Sequence, residues 1–136
     1  LGWKPMMWSD MYITSNTKKG YYAVNEETDT SSWKKPDPDL GLVYWDYYNW
    51  NQTVYENMLR VHKELSNRTV FAAGVWNWNG IAPNYKKAIT CTAKGLLACQ
   101  NQGIQEVFTT GWMDNGAETG THGFCLPVLP QGAVPA

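Results

Sequence analysis

Cysteine, one-sided charge and long apolar runs are all scarce in this chain, and each shortage removes a class of protein. The three cysteines, Cys91, Cys99 and Cys125, are an odd number with no CxxC spacing, which argues against both a disulfide framework and a zinc ribbon. Cys91 and Cys99 fall in one predicted helix, where buried thiols act as small hydrophobes. Eleven Lys and Arg against twelve Asp and Glu leave a formal net charge of -1. Nucleic-acid binding therefore lacks its electrostatic footprint, and Lys18-Lys19, Lys34-Lys35 and Lys86-Lys87 read as solvated faces. No run approaches the length of a membrane span, and Leu1-Gly2-Trp3-Lys4-Pro5 lacks the charged-then-apolar layout of a signal peptide. The chain does not begin with Met, so it is expected to be an internal piece or a processed product. His62, on the apolar stripe of a predicted helix, and His122, in a Gly-rich loop, have no metal-ligand company. No metal, cofactor, nucleic-acid partner or membrane is expected. Asn51-Gln52-Thr53 and Asn67-Arg68-Thr69 match the N-glycosylation pattern, which matters only in a secreted chain.

Aromatic residues are what the chain has in excess, with eight Trp and eight Tyr among 136 residues. Four of the tryptophans occupy one local position, at the end of an apolar run and next to a polar or acidic residue. The runs are Met6-Met7-Trp8-Ser9-Asp10, Leu42-Val43-Tyr44-Trp45-Asp46, Val75-Trp76-Asn77-Trp78, and Phe108-Thr109-Thr110-Gly111-Trp112-Met113-Asp114. Core packing explains an indole, but not a repeated placement. A strand that ends in an indole and a hydrogen-bonding group suits a sugar, because a pyranose offers an apolar face and a rim of hydroxyls.

The elements alternate in type along the chain. Lys4 to Tyr12 reads as a strand, and Ser15 to Gly41 as a long polar loop with a weak helix at Tyr21 to Val24. Leu42 to Tyr48 is the second strand. From Gln52 to Ser66 the spacing turns helical, with Tyr55, Met58, Leu59, His62 and Leu65 on one face and a capping box from Thr53 and Glu56. A third strand starts at Thr69 and runs to Trp78, before the loop Asn79-Gly80-Ile81-Ala82-Pro83. A helix from Asn84 or Tyr85 to Gln102 follows, its buried stripe read as Ile89, Ala93, Leu96, Leu97 and Gln100. Gly103 stops it, and Gly95 in its middle marks close packing, since Gly there costs about 1 kcal/mol relative to Ala. Ile104 to Thr110 is the fourth strand, followed by the loop Gly111 to Gly123.

This is the grammar of parallel βα units, in which ligands collect at the carboxyl ends of the strands. Four units make about half of a TIM-type (β/α)8 barrel, which takes roughly 250 residues. The whole chain, 1–136, is thus read as one partial α/β barrel domain. A half barrel leaves two edges and an open interior, so it needs a partner or another part of its own chain.

Pro-Met-Met-Trp-Ser-Asp-Met-Tyr, Val-Tyr-Trp-Asp-Tyr-Tyr, Phe-Ala-Ala-Gly-Val-Trp-Asn-Trp and Thr-Gly-Trp-Met-Asp-Asn-Gly, taken in order, resemble the second half of a family 20 glycoside hydrolase, a β-N-acetylhexosaminidase. The set is similar to the bacterial branch of streptococcal-type N-acetyl-β-glucosaminidases over nearly the whole chain, Lys4 to about Pro130. The resemblance implies strands five to eight of the catalytic barrel, the carboxyl-terminal half of that domain. It also implies an exo-acting, retaining hydrolase of terminal N-acetyl-glucosamine or N-acetyl-galactosamine residues, in which the substrate's acetamido oxygen attacks the anomeric carbon. The family's catalytic Asp-Glu pair, at the end of the fourth strand, is absent from this stretch. Glu26-Glu27 is no substitute, because no apolar run precedes it. The chain alone is expected to be inactive, with the amino-terminal half of the barrel, or self-association, filling its open edges. A cytoplasmic or cell-associated bacterial location is expected.

By the resemblance, Trp8 walls the acetamido pocket and Asp10 follows it into the cleft. Trp112-Met113-Asp114 matches a Trp-any-Glu motif of the eighth strand, with Asp114 one methylene shorter. Tyr44-Trp45-Asp46 matches a Tyr-any-Asp motif by spacing, although by strand order that motif belongs where this chain has Trp76-Asn77-Trp78. Tyr44 and Asp46, or Trp76 and Trp78, are the alternatives for the acetamido contact. If the Tyr44 face points into the barrel, Trp45 packs under the outer helices. Trp3, Trp33 and Trp50 are read as packing or loop anchors. The competing class is a non-catalytic carbohydrate-binding module; such modules are usually antiparallel sandwiches, whereas this chain has helices between its strands. A redox or structural α/β domain comes last, with no phosphate loop and no CxxC.

Overall fold

A computed structural model describes residues 2–114, and in it strands and helices alternate throughout. The order is β1 (Met6–Trp8), α1 (Asp10–Thr17), β2 (Gly41–Trp45), α2 (Gln52–Leu65), β3 (Thr69–Gly74), α3 (Tyr85–Gln102) and β4 (Glu106–Thr110). The strands form one parallel sheet in sequence order, so every connection crosses over through a helix.

Registered partners share a side of the sheet, which sorts the strand residues into two faces. Leu42, Tyr44, Phe71 and Ala73 face the helices and pack with Ile13 of α1, with Tyr55, Met58, Leu59, Val61 and Leu65 of α2, and with Ala98 and Cys99 of α3. The opposite face carries Trp8 beside Val43, Trp45 beside Ala72, and Ala72 beside Phe108. In a flat sheet β1 and β4 would lie roughly 14 Å apart, three interstrand spacings. Instead the Trp8 and Phe108 ring centroids are 6.0 Å apart. At the amino ends of the strands, Arg68 donates to the Lys4 carbonyl at 3.2 Å and to both carboxylate oxygens of Glu106 at 2.8 and 2.7 Å. The helix-free face is therefore concave. This arc of four parallel strands backed by three helices is compatible with half of a βα barrel, and among the described residues β1 and β4 have no strand on their outer side, with Met6, Trp8, Val107 and Phe108 exposed.

Several boundaries differ from the sequence reading. β1 stops at Trp8, and Asp10 to Thr17 is helical where a strand end and a loop were expected. Apolar residues do not recur along α1 at helical spacing, so periodicity gave no signal; Asp10 in its first turn complements the helix dipole. The expected helix at Tyr21 to Val24 is only a turn, closed by the Ala23 N–H donating to the Gly20 carbonyl. The cap of α2 is Asn51, whose side chain accepts from the Thr53 N–H; Glu56 accepts instead from Gln52 and Asn101, so no capping box forms.

The α2 stripe is buried as read, with Val61 added. The α3 stripe is not. Ala88, Cys91, Gly95, Ala98 and Cys99 turn inward, while Ile89, Ala93 and Gln100 are exposed and Leu96 and Leu97 only half-buried. Phe71 is the cause. A Cβ on Gly95 would sit 2.3 Å from the tip of that ring, so the helix lies close enough for only small residues to face the sheet. Gly103, at φ 70, ends α3 as read.

Candidate functional site

The carboxyl ends of the four strands converge at one mouth of the arc. Trp8, at the end of β1, and Trp112, two residues past β4, meet there with centroids 6.2 Å apart and planes tilted by 53°. Both indoles are partly exposed, Trp8 to 40%. Asp10, half-buried, starts α1 two residues past Trp8 and acts electrostatically on Tyr47; Asp114 is exposed. Trp45 lies on the concave face with Val43, Val70 and Ala72. This reverses the condition under which Trp45 would pack beneath the helices, because Tyr44 is the residue that points at α2.

Tyr44 and Asp46 are buried on that helix side. Tyr44 packs against Tyr55, His62 and Phe71, and its hydroxyl donates to Asp46 Oδ2 at 2.7 Å. Asp46 also accepts from the Tyr48 and Asn49 backbone N–H groups and from the Asn49 amide. Every acceptor position of that carboxylate is thereby engaged within the chain. Burial first, and then the adjacent carboxylate, push the Tyr44 phenol well above its ordinary pKa.

Trp76 and Trp78 share a side, though not by strand alternation, since β3 ends at Gly74 and Trp76 adopts φ 53. Their rings lie 4.9 Å apart at 31°, buried behind the mouth with Tyr47 and Ala88. The Trp76 indole N–H donates to the Tyr47 carbonyl at 2.6 Å, and the Lys87 ammonium sits 3.9 Å over its ring. These contacts hold a left-handed conformation that a bulky residue rarely adopts. Gly74 makes room for the stack, because a Cβ there would come within 2.6 Å of Trp78 and 2.7 Å of Tyr47.

Tyr47 was not singled out in the sequence, yet it lies at this mouth. Its ring packs between Trp45 at 5.2 Å and Trp78 at 5.3 Å. Burial raises its phenol pKa, opposed by polar contacts with the Thr110 and Trp112 side chains. The usable signal was the period-two set Val43, Trp45, Tyr47, opposite Tyr44. Trp33 packs against the helix-side core, whereas Trp3 and Trp50 are exposed and belong to no buried cluster among the described residues. Glu26 and Glu27 are exposed in the loop between α1 and β2. His62 is a satisfied core histidine, and Cys91 and Cys99 are buried thiols; among the described residues no cluster of His, Cys, Asp and Glu could hold a metal. No described helix is long and apolar enough to cross a membrane. His122, Cys125 and the part of the expected loop that follows Asp114 lie outside the described residues.

The mouth thus offers tilted indole faces for an apolar ring face, with the half-buried Asp10 two residues past Trp8 as the nearest carboxylate in sequence. No protein-family profile matches the chain, and no curated protein is significantly similar to it.

Proposed function

We propose that this chain is the substrate-pocket part of an exo-acting β-N-acetylhexosaminidase of the family 20 glycoside hydrolase type. It supplies strands five to eight of a TIM-type barrel. One observation carries the reading: the half-exposed Trp8 and Trp112, brought together at the carboxyl mouth of a concave parallel sheet, with Asp10 two residues past Trp8 in the chain. Sites in βα folds gather at that end, and tilted indoles suit the apolar face of an N-acetyl-hexosamine. Trp8, Trp112, Asp10 and Asp114 are the proposed sugar contacts, with Tyr44, Asp46, Trp76 and Trp78 supporting them from behind the mouth. The acid and the acetamido-orienting carboxylate come from the other half of the barrel, so catalysis is a property of the completed barrel.

The test is direct. N-acetyl-glucosamine should perturb the tryptophan fluorescence of the chain while the chain leaves a chromogenic N-acetyl-glucosaminide intact, and coding sequence upstream of Leu1 should hold an Asp-Glu pair after an apolar run. Absence of any sugar response, or turnover that Glu27→Gln abolishes, overturns the reading.

A further inference from the structure

Trp112 lies beyond the last backbone bond of the sheet, and what holds it there is a side chain. The Val75 N–H donates to the Thr110 carbonyl at 3.0 Å, the next bond of the β3–β4 ladder past the paired Gly74 and Thr110. In a parallel ladder the same residue's carbonyl would next accept from the Trp112 N–H. That bond is not made. The chain turns away at Trp76 in its left-handed conformation, and the Trp76 carbonyl accepts instead from the Asn84 N–H at 2.9 Å. The Trp112 N–H donates to Oδ1 of Asn77 at 3.2 Å. The Asn77 amide nitrogen in turn lies 3.8 Å from the Met113 sulfur, and the residue is only 4% exposed.

We infer that Asn77 is a positioning residue: its side-chain oxygen replaces the missing ladder carbonyl and fixes the Trp112 wall against Trp8 across the mouth. The strain at Trp76 acquires a purpose on this account. The left-handed turn ends β3 early enough to open the mouth and aims Asn77 across to the neighbouring strand end. Four contacts keep that turn in place: the Tyr47 carbonyl, the Lys87 ammonium, the Trp78 ring and the Asn84 N–H. The role in sugar binding rests on the hexosaminidase reading; the hold on Trp112 does not.

The experiment uses the full chain labelled with 5-fluorotryptophan, with the Trp112 line of the fluorine NMR spectrum assigned from Trp112→Phe and the Trp33 line from Trp33→Phe. Asn77→Ala should shift or broaden the Trp112 line and leave the Trp33 line in place. Asn77→Asp, which keeps an acceptor oxygen, should restore it. On titration with N-acetyl-glucosamine, Asn77→Ala should need about fivefold more sugar than the unmutated chain, the loss of about one hydrogen bond. An unchanged Trp112 line in Asn77→Ala overturns the positioning role; where the unmutated chain responds to the sugar, an equal response in Asn77→Ala overturns its part in sugar binding. If Asn77→Ala unfolds, amide exchange of the unmutated chain decides: a Trp112 N–H protected about fivefold or more supports the bond, and an unprotected one overturns it. If the sugar moves no line in the unmutated chain, the hexosaminidase reading falls while the free-protein spectra still judge the hold on Trp112.

Discussion

Ser9 Oγ lies 2.7 Å from Nε2 of His62, joining the end of β1 to the middle of α2. The direction of that bond follows from the other ring nitrogen. His62 Nδ1 is 2.6 Å from the Met58 carbonyl, which can only accept, so Nδ1 carries the hydrogen and Nε2 is left as an acceptor; the single Ser9 hydroxyl hydrogen is shared between Nε2 and the Val43 carbonyl, 2.9 Å from Oγ. Tyr21 Oη, 3.1 Å from Ser9 Oγ, accepts from the Trp45 N–H at 3.2 Å and donates onward to the serine. The Ser9 hydroxyl makes no cap bond to α1, being committed to this network. Four segments are thereby tied together: the ends of β1 and β2, the α1–β2 loop and α2.

Stability should fall in mild acid because of His62. Full burial lowers its pKa to about 4 from the ordinary 6.5. A depressed folded-state pKa means that the unfolded chain takes up the proton first, so stability is whole above about pH 6.5 and declines as the pH drops toward 4. Between pH 7.5 and pH 5 urea denaturation should show a loss of about 2 kcal/mol. His62→Gln should flatten that slope; an unaltered slope would clear His62 of responsibility.

Gly95→Ala should destabilise despite its higher helix propensity. The added methyl would stand 2.3 Å from Phe71, and overpacking of this kind typically costs about 1–3 kcal/mol against a gain of about 1. Adding Phe71→Leu should recover part of the loss. Thermal melts of the single and double variants measure both effects, and a single variant more stable than the parent would show that α3 can move away freely.

Trp76→Phe removes the indole N–H and leaves the buried Tyr47 carbonyl without that donor. A loss of about 1–3 kcal/mol is expected in urea titrations. Lys87→Ala should cost less, about 0.5–1 kcal/mol, the scale of a partly exposed cation–π contact. The reverse order would mean that the ammonium, and not the hydrogen bond, secures the turn.

Trp8→Ala and Trp112→Ala should each weaken N-acetyl-glucosamine binding about tenfold, the value of one aromatic stacking contact. Trp33→Ala, distant from the mouth, should leave it unchanged in isothermal titration. Equal effects from all three would point to general loosening.

The free edges should make the chain associate with itself. Exposed Val107 and Phe108 lie along β4, whose outer backbone groups no described strand pairs. Sedimentation velocity should show mass rising with concentration, and Val107→Lys should suppress it by placing a charge on the edge. A monomer at all concentrations would count against that.

Much of the architecture was legible in the one-dimensional pattern. Helical spacing of Tyr55, Met58, Leu59, His62 and Leu65 marked the buried stripe of α2, and Asn84 and Gly103 bracketed α3, because caps and periodicity are local. Gly95 announced close packing without naming its neighbour. The α3 stripe was misread because its largest apolar residues are not its buried ones: Phe71, from another element, takes the space and leaves room only for small side chains.

The sequence by itself determined the alternation of strand and helix, the repeated indole at each strand end and the scarcity of charge and cysteine; these depend on residues a few positions apart. Only the tertiary structure decided which indoles meet. Curvature of the sheet brings Trp8 to Trp112 from opposite edges and sends Tyr44 and Asp46 to the helix side. A left-handed turn at Trp76 delivers Asn77 to the neighbouring strand. Curl and pleat direction arise from packing between distant segments, which no local pattern encodes.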